Sequence, residues 1–143
     1  MKKDRQDHLK AFESIEHISP LDPLDVTLRL AALAELQPGW LDGKGHAPDP
    51  THTQWLAAAF EENFDASLPL PYIYPTAEGG IQAEWSLGDW EASLEIDLLA
   101  KCACFQALNL VSHALHDIGL ALSDSAGWQQ LNTILHQIDR SAA

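Results

Sequence analysis

From Ile81 to Leu98 apolar residues hold every second position, with one interruption at Gly88-Asp89. Ile81, Ala83, Trp85 and Leu87 alternate with Gln82, Glu84 and Ser86, and Trp90, Ala92, Leu94, Ile96 and Leu98 alternate with Glu91, Ser93, Glu95 and Asp97. Period-two alternation puts one set of side chains on each face of a strand. A two-residue turn at Gly88-Asp89 pairs Leu87 with Trp90, Trp85 with Ala92, Ala83 with Leu94 and Ile81 with Ile96. Every apolar residue then meets another, and a slip of one residue would turn the whole set toward water. The pattern therefore predicts both a β-hairpin and its register.

Upstream, Tyr72-Ile73-Tyr74 reads as a short strand, and Gly79-Gly80 supplies the positive φ angles of a turn before Ile81. Cys102–Val111 reads as another strand, apolar on both faces and hence more covered, and residues 115–122 are a candidate for one more. Helices flank the strands. Asp22-Pro23-Leu24 opens one with the stripe Val26, Leu30, Leu33 and Ala34, ending before Pro38-Gly39. Asp49-Pro50-Thr51 opens a second, striped by Leu56, Ala59, Phe60, Asn63 and Phe64. Ser123-Asp124-Ser125 opens a last one with Trp128, Leu131, Leu135 and Ile138 on one side. Between the first two, Trp40 to Pro48 reads as a loop. The order predicts an α+β fold: an antiparallel β-meander of about four strands, with N-terminal and C-terminal helices packed on one face. Residues 1–20 read as an N-terminal arm or short helix, and residues 21–143 as a single α+β domain.

The charge balance narrows the function. The 143 residues carry eight Lys+Arg against 21 Asp+Glu, a formal charge of −13. Residues 45–139 hold 13 acids and a single lysine, Lys101. Phosphate recognition relies on Lys and Arg displacing counterions, so direct nucleic-acid binding and anionic membranes are disfavoured, and a basic protein partner is favoured. The N-terminus lacks the apolar run of a signal peptide, and no apolar stretch is long enough to span a bilayer. The two cysteines, Cys102 and Cys104, are too close to read as a disulfide framework, which agrees with a reducing, cytoplasmic setting.

The block Pro71-x-Ile73-x-Pro75-Thr76-x-x-Gly79-Gly80-Ile81-x-x-Glu84-Trp85 resembles a group of small, uncharacterised bacterial proteins. The Gly39-Trp40-Leu-Asp-Gly43 loop and Leu122-Ser-Asp-x-x-x-Trp128 are similar to that group as well. The likeness spans roughly residues 24–138. It implies bacterial origin and a compact domain, and brings no catalytic role.

Several groups of residues have the types that chemistry requires. Glu78 and Glu84 could form a general acid–base pair, but a turn carboxylate and a strand carboxylate on the polar side are ordinarily solvated. His113-x-x-His116-Asp117 and the Asp42, His46, Asp49, His52 group have metal-ligand types without ligand spacing, so no metal and no cofactor is expected. Cys104 with His113 is a formal nucleophile–base pair, yet a strand thiol among apolar residues is usually inert. No nucleotide-binding loop or nucleophile elbow is present. Of the five tryptophans, Trp85, Trp90 and Trp128 fall on apolar stripes and belong to the core, with Trp40, in a Gly-rich loop, expected at the surface or at a loop–core junction.

What remains is the polar face of the hairpin. Gln82, Glu84, Ser86, Glu91, Ser93, Glu95 and Asp97 share one side with no Lys or Arg on these strands. The expected function is macromolecular binding, in the manner of an antitoxin, an immunity protein or a nucleic-acid-mimicking inhibitor. Glu84, Glu91, Glu95 and Asp97 would contact a basic surface. One rival is an enzyme using Asp42, Glu78 and Glu84 in a pocket between the Trp40–Pro48 loop and the Thr76–Gly80 turn. Another is a homo-oligomer joined through an edge strand or the Ala103/Phe105/Ala107 face.

Overall fold

A computed structural model of the chain describes residues 26–142. The N-terminal arm and the Asp22-Pro23 helix start lie outside the described residues. Three helices, α1 (Val26–Leu33), α2 (Pro50–Asn63) and α3 (Ser125–Ala142), accompany five strands. These are β1 (Tyr72–Pro75), β2 (Ile81–Leu87), β3 (Trp90–Asp97), β4 (Cys102–Asn109) and β5 (Leu115–Ala121). The strands form one antiparallel meander in sequence order. The sheet thus has five strands, not four: β5 pairs with β4 along its whole length despite a polar His116-Asp117 start and a central Gly119.

The β2–β3 register is the one dictated by alternation: Leu87 opposite Trp90, Trp85 opposite Ala92, Ala83 opposite Leu94 and Ile81 opposite Ile96. Gly88 alone takes a positive φ, 61°, in the two-residue turn, as glycine does at the first position of a type II′ hairpin. The Gly79-Gly80 pair divides its work differently from expectation. Gly79 has φ 84°, whereas Gly80 is needed because a Cβ there would lie 2.7 Å from the carbonyl oxygen of Ile96.

The inner face of the sheet and the helical stripes share one buried cluster. Ile81, Ala83, Trp85, Leu87, Leu94, Ile96, Ala103, Phe105 and Ala107 meet Leu30, Leu33, Leu56, Trp128, Leu131 and Leu135. Area removal at each full-sized apolar side chain contributes roughly 1.5–3 kcal/mol. Two corrections follow for β4. Its outer face is not covered: Cys102, Cys104, Gln106 and Leu108 are exposed in strict alternation with the buried residues. And Ala103, Phe105 and Ala107 are core, not an assembly face, because α3 and the rest of the helical layer occupy that side.

α1 ends earlier than the stripe suggested, giving way to turns after Leu33. Its buried side includes Arg29, 0% exposed, whose Nη2 donates to the carbonyl of Ile73 at 2.7 Å. α2 starts as expected: Asp49 caps it by accepting from the Thr51 N–H at 2.8 Å, with Pro50 at its first position.

α3 is tied to the end of α2 by side chains one turn apart. Asn132 Nδ2 donates to the Asn63 carbonyl at 2.9 Å, and His136 Nε2 lies 2.7 Å from Asp65 Oδ2. The His136 hydrogen bond, followed by bonds from Ser67, lowers the Asp65 pKa from 3.8 to about 2. The unfolded chain therefore holds the Asp65 proton more readily than the folded one in that interval. This contribution to stability is complete above pH 4 and is lost as pH falls through about 2. Urea midpoints measured at pH 5 and pH 2.5 should fall further for the wild type than for Asp65→Asn; equal falls would remove the pair from the acid response.

Candidate functional site: an acidic sheet face and cleft

Because the described helices cover only the inner face, the outer face of the sheet lies open among the described residues. The register lays its residues out in rows. Ser86, Glu91, Leu108 and Leu115 form one, and Glu84, Ser93, Gln106 and Asp117 the next. Gln82, Glu95, Cys104 and Gly119 follow, then Asp97, Cys102 and Ala121. No carboxylate stands directly opposite another. Like charges directly across strands would each cost a few tenths of a kcal/mol, and Ser86, Ser93 and Gln82 opposite the glutamates avoid that penalty.

The four expected contact residues are on this face together, but they differ in what already engages them. Glu84 is half-buried and accepts from Gln82 Nε2 at 2.6 Å, and Glu91 accepts from Ser86 Oγ at 2.8 Å. Asp97 holds the β3–β4 turn, its Oδ1 accepting from the N–H groups of Leu99 and Ala100 at 3.1 and 3.0 Å. Glu95 is exposed, and its carboxylate accepts no hydrogen bond among the described residues. It is the carboxylate most available to an outside donor.

The four cations of the described residues sit elsewhere. Arg29 is buried on α1, Lys44 lies in a loop and Arg140 is on α3. Lys101 turns its Nζ to the ring of Trp55, 5.1 Å from the centroid. None occupies the outer face of a strand. Asp117 adds a further acid on β5, within 3.6 Å of Cys104 Sγ. Desolvation, and then the neighbouring Asp117 and Glu95 carboxylates, push the Cys104 thiol above its ordinary pKa of 9.0. The thiol is kept protonated and weakly nucleophilic, with acidic neighbours adding to the desolvation that was expected.

One end of the face deepens into an open cleft of about 640 Å³. Its walls are loops brought together by tertiary contact. The His46 N–H donates to the Ala77 carbonyl at 2.8 Å, joining the chain before α2 to the 76–80 turn. Asp49, His52, Glu78, Glu95, Asp97 and Cys102 line the cleft, and among the described residues no lysine or arginine does. Asp49, His52 and Cys102 were not expected in a common site; the only sequence signal was a loose cluster of polar types, since the contact between His46 and the 76–80 turn is long-range.

The loop candidates separate. Glu78 is exposed and lines the cleft, but Asp42 and Glu84 do not, so the three carboxylates of the enzymatic reading are not brought together. Asp42 and Gly43 take φ 51° and 83° at the tip of a tight Leu41–Lys44 hairpin, a conformational role that the Asp-Gly pair favours. Trp40 is half-buried at the loop–core junction and donates its indole N–H to the His46 carbonyl at 2.9 Å, pinning the loop that forms the cleft wall. Among the described residues no group of three or more His, Cys, Asp or Glu is placed to hold a metal ion, and no helix is long and apolar enough to cross a membrane. Comparison with protein-family models, curated proteins and solved structures finds no match.

Proposed function

We propose that this is a small cytoplasmic bacterial protein that acts stoichiometrically by docking its acidic sheet face on a basic protein surface, as an antitoxin, an immunity protein or a nucleic-acid-mimicking inhibitor would. The observation that carries this reading is that the open face and its cleft carry carboxylates and, among the described residues, no cation. Carboxylates line the open face and its cleft, while the cations of the described residues lie on helices, loops and turns. A potential of one sign over a continuous surface steers and orients an oppositely charged partner. Glu95 and Glu91 offer exposed acceptors, and the cleft suits an inserted lysine or arginine side chain. The partner would be held by charge-assisted hydrogen bonds, which are stronger than neutral ones.

Net charge alone could also draw basic proteins, so the test compares two triple variants of equal charge. Glu91→Gln, Glu95→Gln and Asp97→Asn neutralise the face, and the asparagine retains the oxygen that holds the β3–β4 turn. Glu61→Gln, Glu62→Gln and Asp124→Asn neutralise exposed sites on and beside the helices. Partner capture from the native host, eluted on a salt gradient, should fall at least tenfold for the face variant and little for the helical one, each lost charge-assisted contact being worth about 1–3 kcal/mol. Equal loss in both variants, or none in either, contradicts the proposal.

A further inference from the structure

The two edges of the sheet are treated differently. On β1, the Thr76 N–H donates to the Gly80 carbonyl at 3.0 Å, and the pairing alternates from there, turning the polar backbone groups of Ile73 outward. The outward carbonyl of Ile73 is taken by the buried guanidinium of Arg29 on α1, and the strand is four residues long and ends in Pro75. Such an edge is closed to further strands.

β5 has none of these devices. The bonds Asn109 N–H to Ala114 carbonyl and Leu122 N–H to Lys101 carbonyl bracket its register, so the N–H and C=O groups of Leu115, Asp117 and Gly119 point away from β4. No described strand pairs with that edge. It has no lysine, proline or bulge, and Gly127 of α3 packs on the backbone only at its last residue, Ala121.

The surroundings match the edge. Residues 98–123 contain one cation, Lys101, and one acid, Asp117, in a chain of formal charge −13. With one charge of each sign this stretch is formally neutral, so a second copy meets less repulsion here than along the acidic β2–β3 hairpin. Four of the six large apolar side chains exposed among the described residues, Leu108, Leu110, Val111 and Leu115, lie on this same β4–β5 hairpin. Exposed apolar surface concentrated beside an unprotected edge is characteristic of an association site.

We propose that β5 pairs antiparallel with β5 of a second copy, joining the two sheets about a two-fold axis at Ile118. That register places Ile118 against the partner's Ile118 and Asp117 opposite the partner's Gly119, so the acids avoid each other. Leu115 lies toward the partner's Ala121. The two central pairs each exchange two backbone hydrogen bonds, and the acidic faces extend on the same side of the joined sheet. The arrangement is isologous, as closed two-fold dimers are.

The register makes residue 119 a signed probe. A Cβ there meets nothing within 4 Å, so substitutions preserve the subunit. Gly119→Glu opposes the partner's Asp117 twice across the axis and should weaken the dimer about tenfold, whereas Gly119→Lys should tighten it by a similar factor. Gln130→Lys, exposed on α3, gives the same net-charge change away from the edge and should leave the constant within about twofold. Sedimentation equilibrium on the full-length chain reads all four, with circular dichroism confirming the fold. The wild type should approach twice its 15.7 kDa mass with rising concentration. A wild type that stays monomeric, or a dimer indifferent to the sign of the charge at position 119, overturns the proposal. So would β5 amides that become protected from exchange only when a basic partner is added, which would assign the edge to that partner.

Discussion

Phe105→Ala is expected to destabilise the protein by about 3–5 kcal/mol, the usual cost of emptying a fully buried aromatic site. Phe105 is 0% exposed at the centre of β4 and stands between Leu94 on β3 and Ile118 on β5. Its ring lies on the side of the sheet covered by helices, so its removal leaves a cavity that strands held in register on both sides cannot collapse. A urea titration should show a lower midpoint with an unchanged slope. Phe105→Leu, which conserves most of the volume, should cost about 1 kcal/mol. If Phe105 formed an assembly face, the alanine variant would instead change the mass in solution and leave the midpoint near that of the wild type.

Gly127→Ala is the second large effect, and local propensity gives it the wrong sign. Alanine replacing glycine inside a helix normally stabilises by about 1 kcal/mol. Here a Cβ would run into the Ala121 carbonyl oxygen and lie 2.7 Å from its carbon. Relief requires α3 to lift from β5. That movement would strain the adjacent Trp128, which is 1% exposed and donates its indole N–H to the Leu122 carbonyl at 2.9 Å. Overpacking against backbone typically costs 1–3 kcal/mol, so a net loss of about 2 kcal/mol is expected. Gly119→Ala is the internal control: its Cβ meets nothing within 4 Å, and thermal unfolding should show it unchanged or slightly raised. A stabilised Gly127→Ala would mean that α3 does not pack on the end of β5 as described.

The parts of the fold legible in sequence were those set by neighbours along the chain. Gly88 fixes the turn, and the alternation on either side then fixes the register from Ile81 to Ile96. Asp49-Pro50 fixes the start of α2. Trp85, Trp90 and Trp128 follow from their stripes, and all three are buried. Arg29 was half-legible: it occupies a stripe position, three residues after Val26, but only the tertiary structure supplies the Ile73 carbonyl that makes its burial tolerable. β4 misled because Cys102, Cys104 and Leu108 are apolar types standing on an open face. The cleft was the least legible feature. Its wall depends on a contact between the chain at His46 and the turn at Ala77, and nothing local at Asp49 or His52 indicates that they would face Glu95.

The same distinction applies to the acidic face. Which carboxylates share it was set by the hairpin register; which of them hold turns or neighbours, as Asp97 and Glu91 do, required the hydrogen bonds. In the proposed docking Glu95 is the central acceptor, flanked by Glu84 and Glu91 on one side and by the cleft on the other.

The most direct measurement is zero-length carbodiimide cross-linking of the captured complex, which joins carboxylates to lysine amines that already touch them. Mass spectrometry should place the cross-links to partner lysines at Glu91 and Glu95, with Glu78 at the cleft wall. Cross-links confined to Glu61, Glu62 or Asp139 on the helical side would contradict the account, because the partner would then be bound by the layer that covers the sheet and not by its open face.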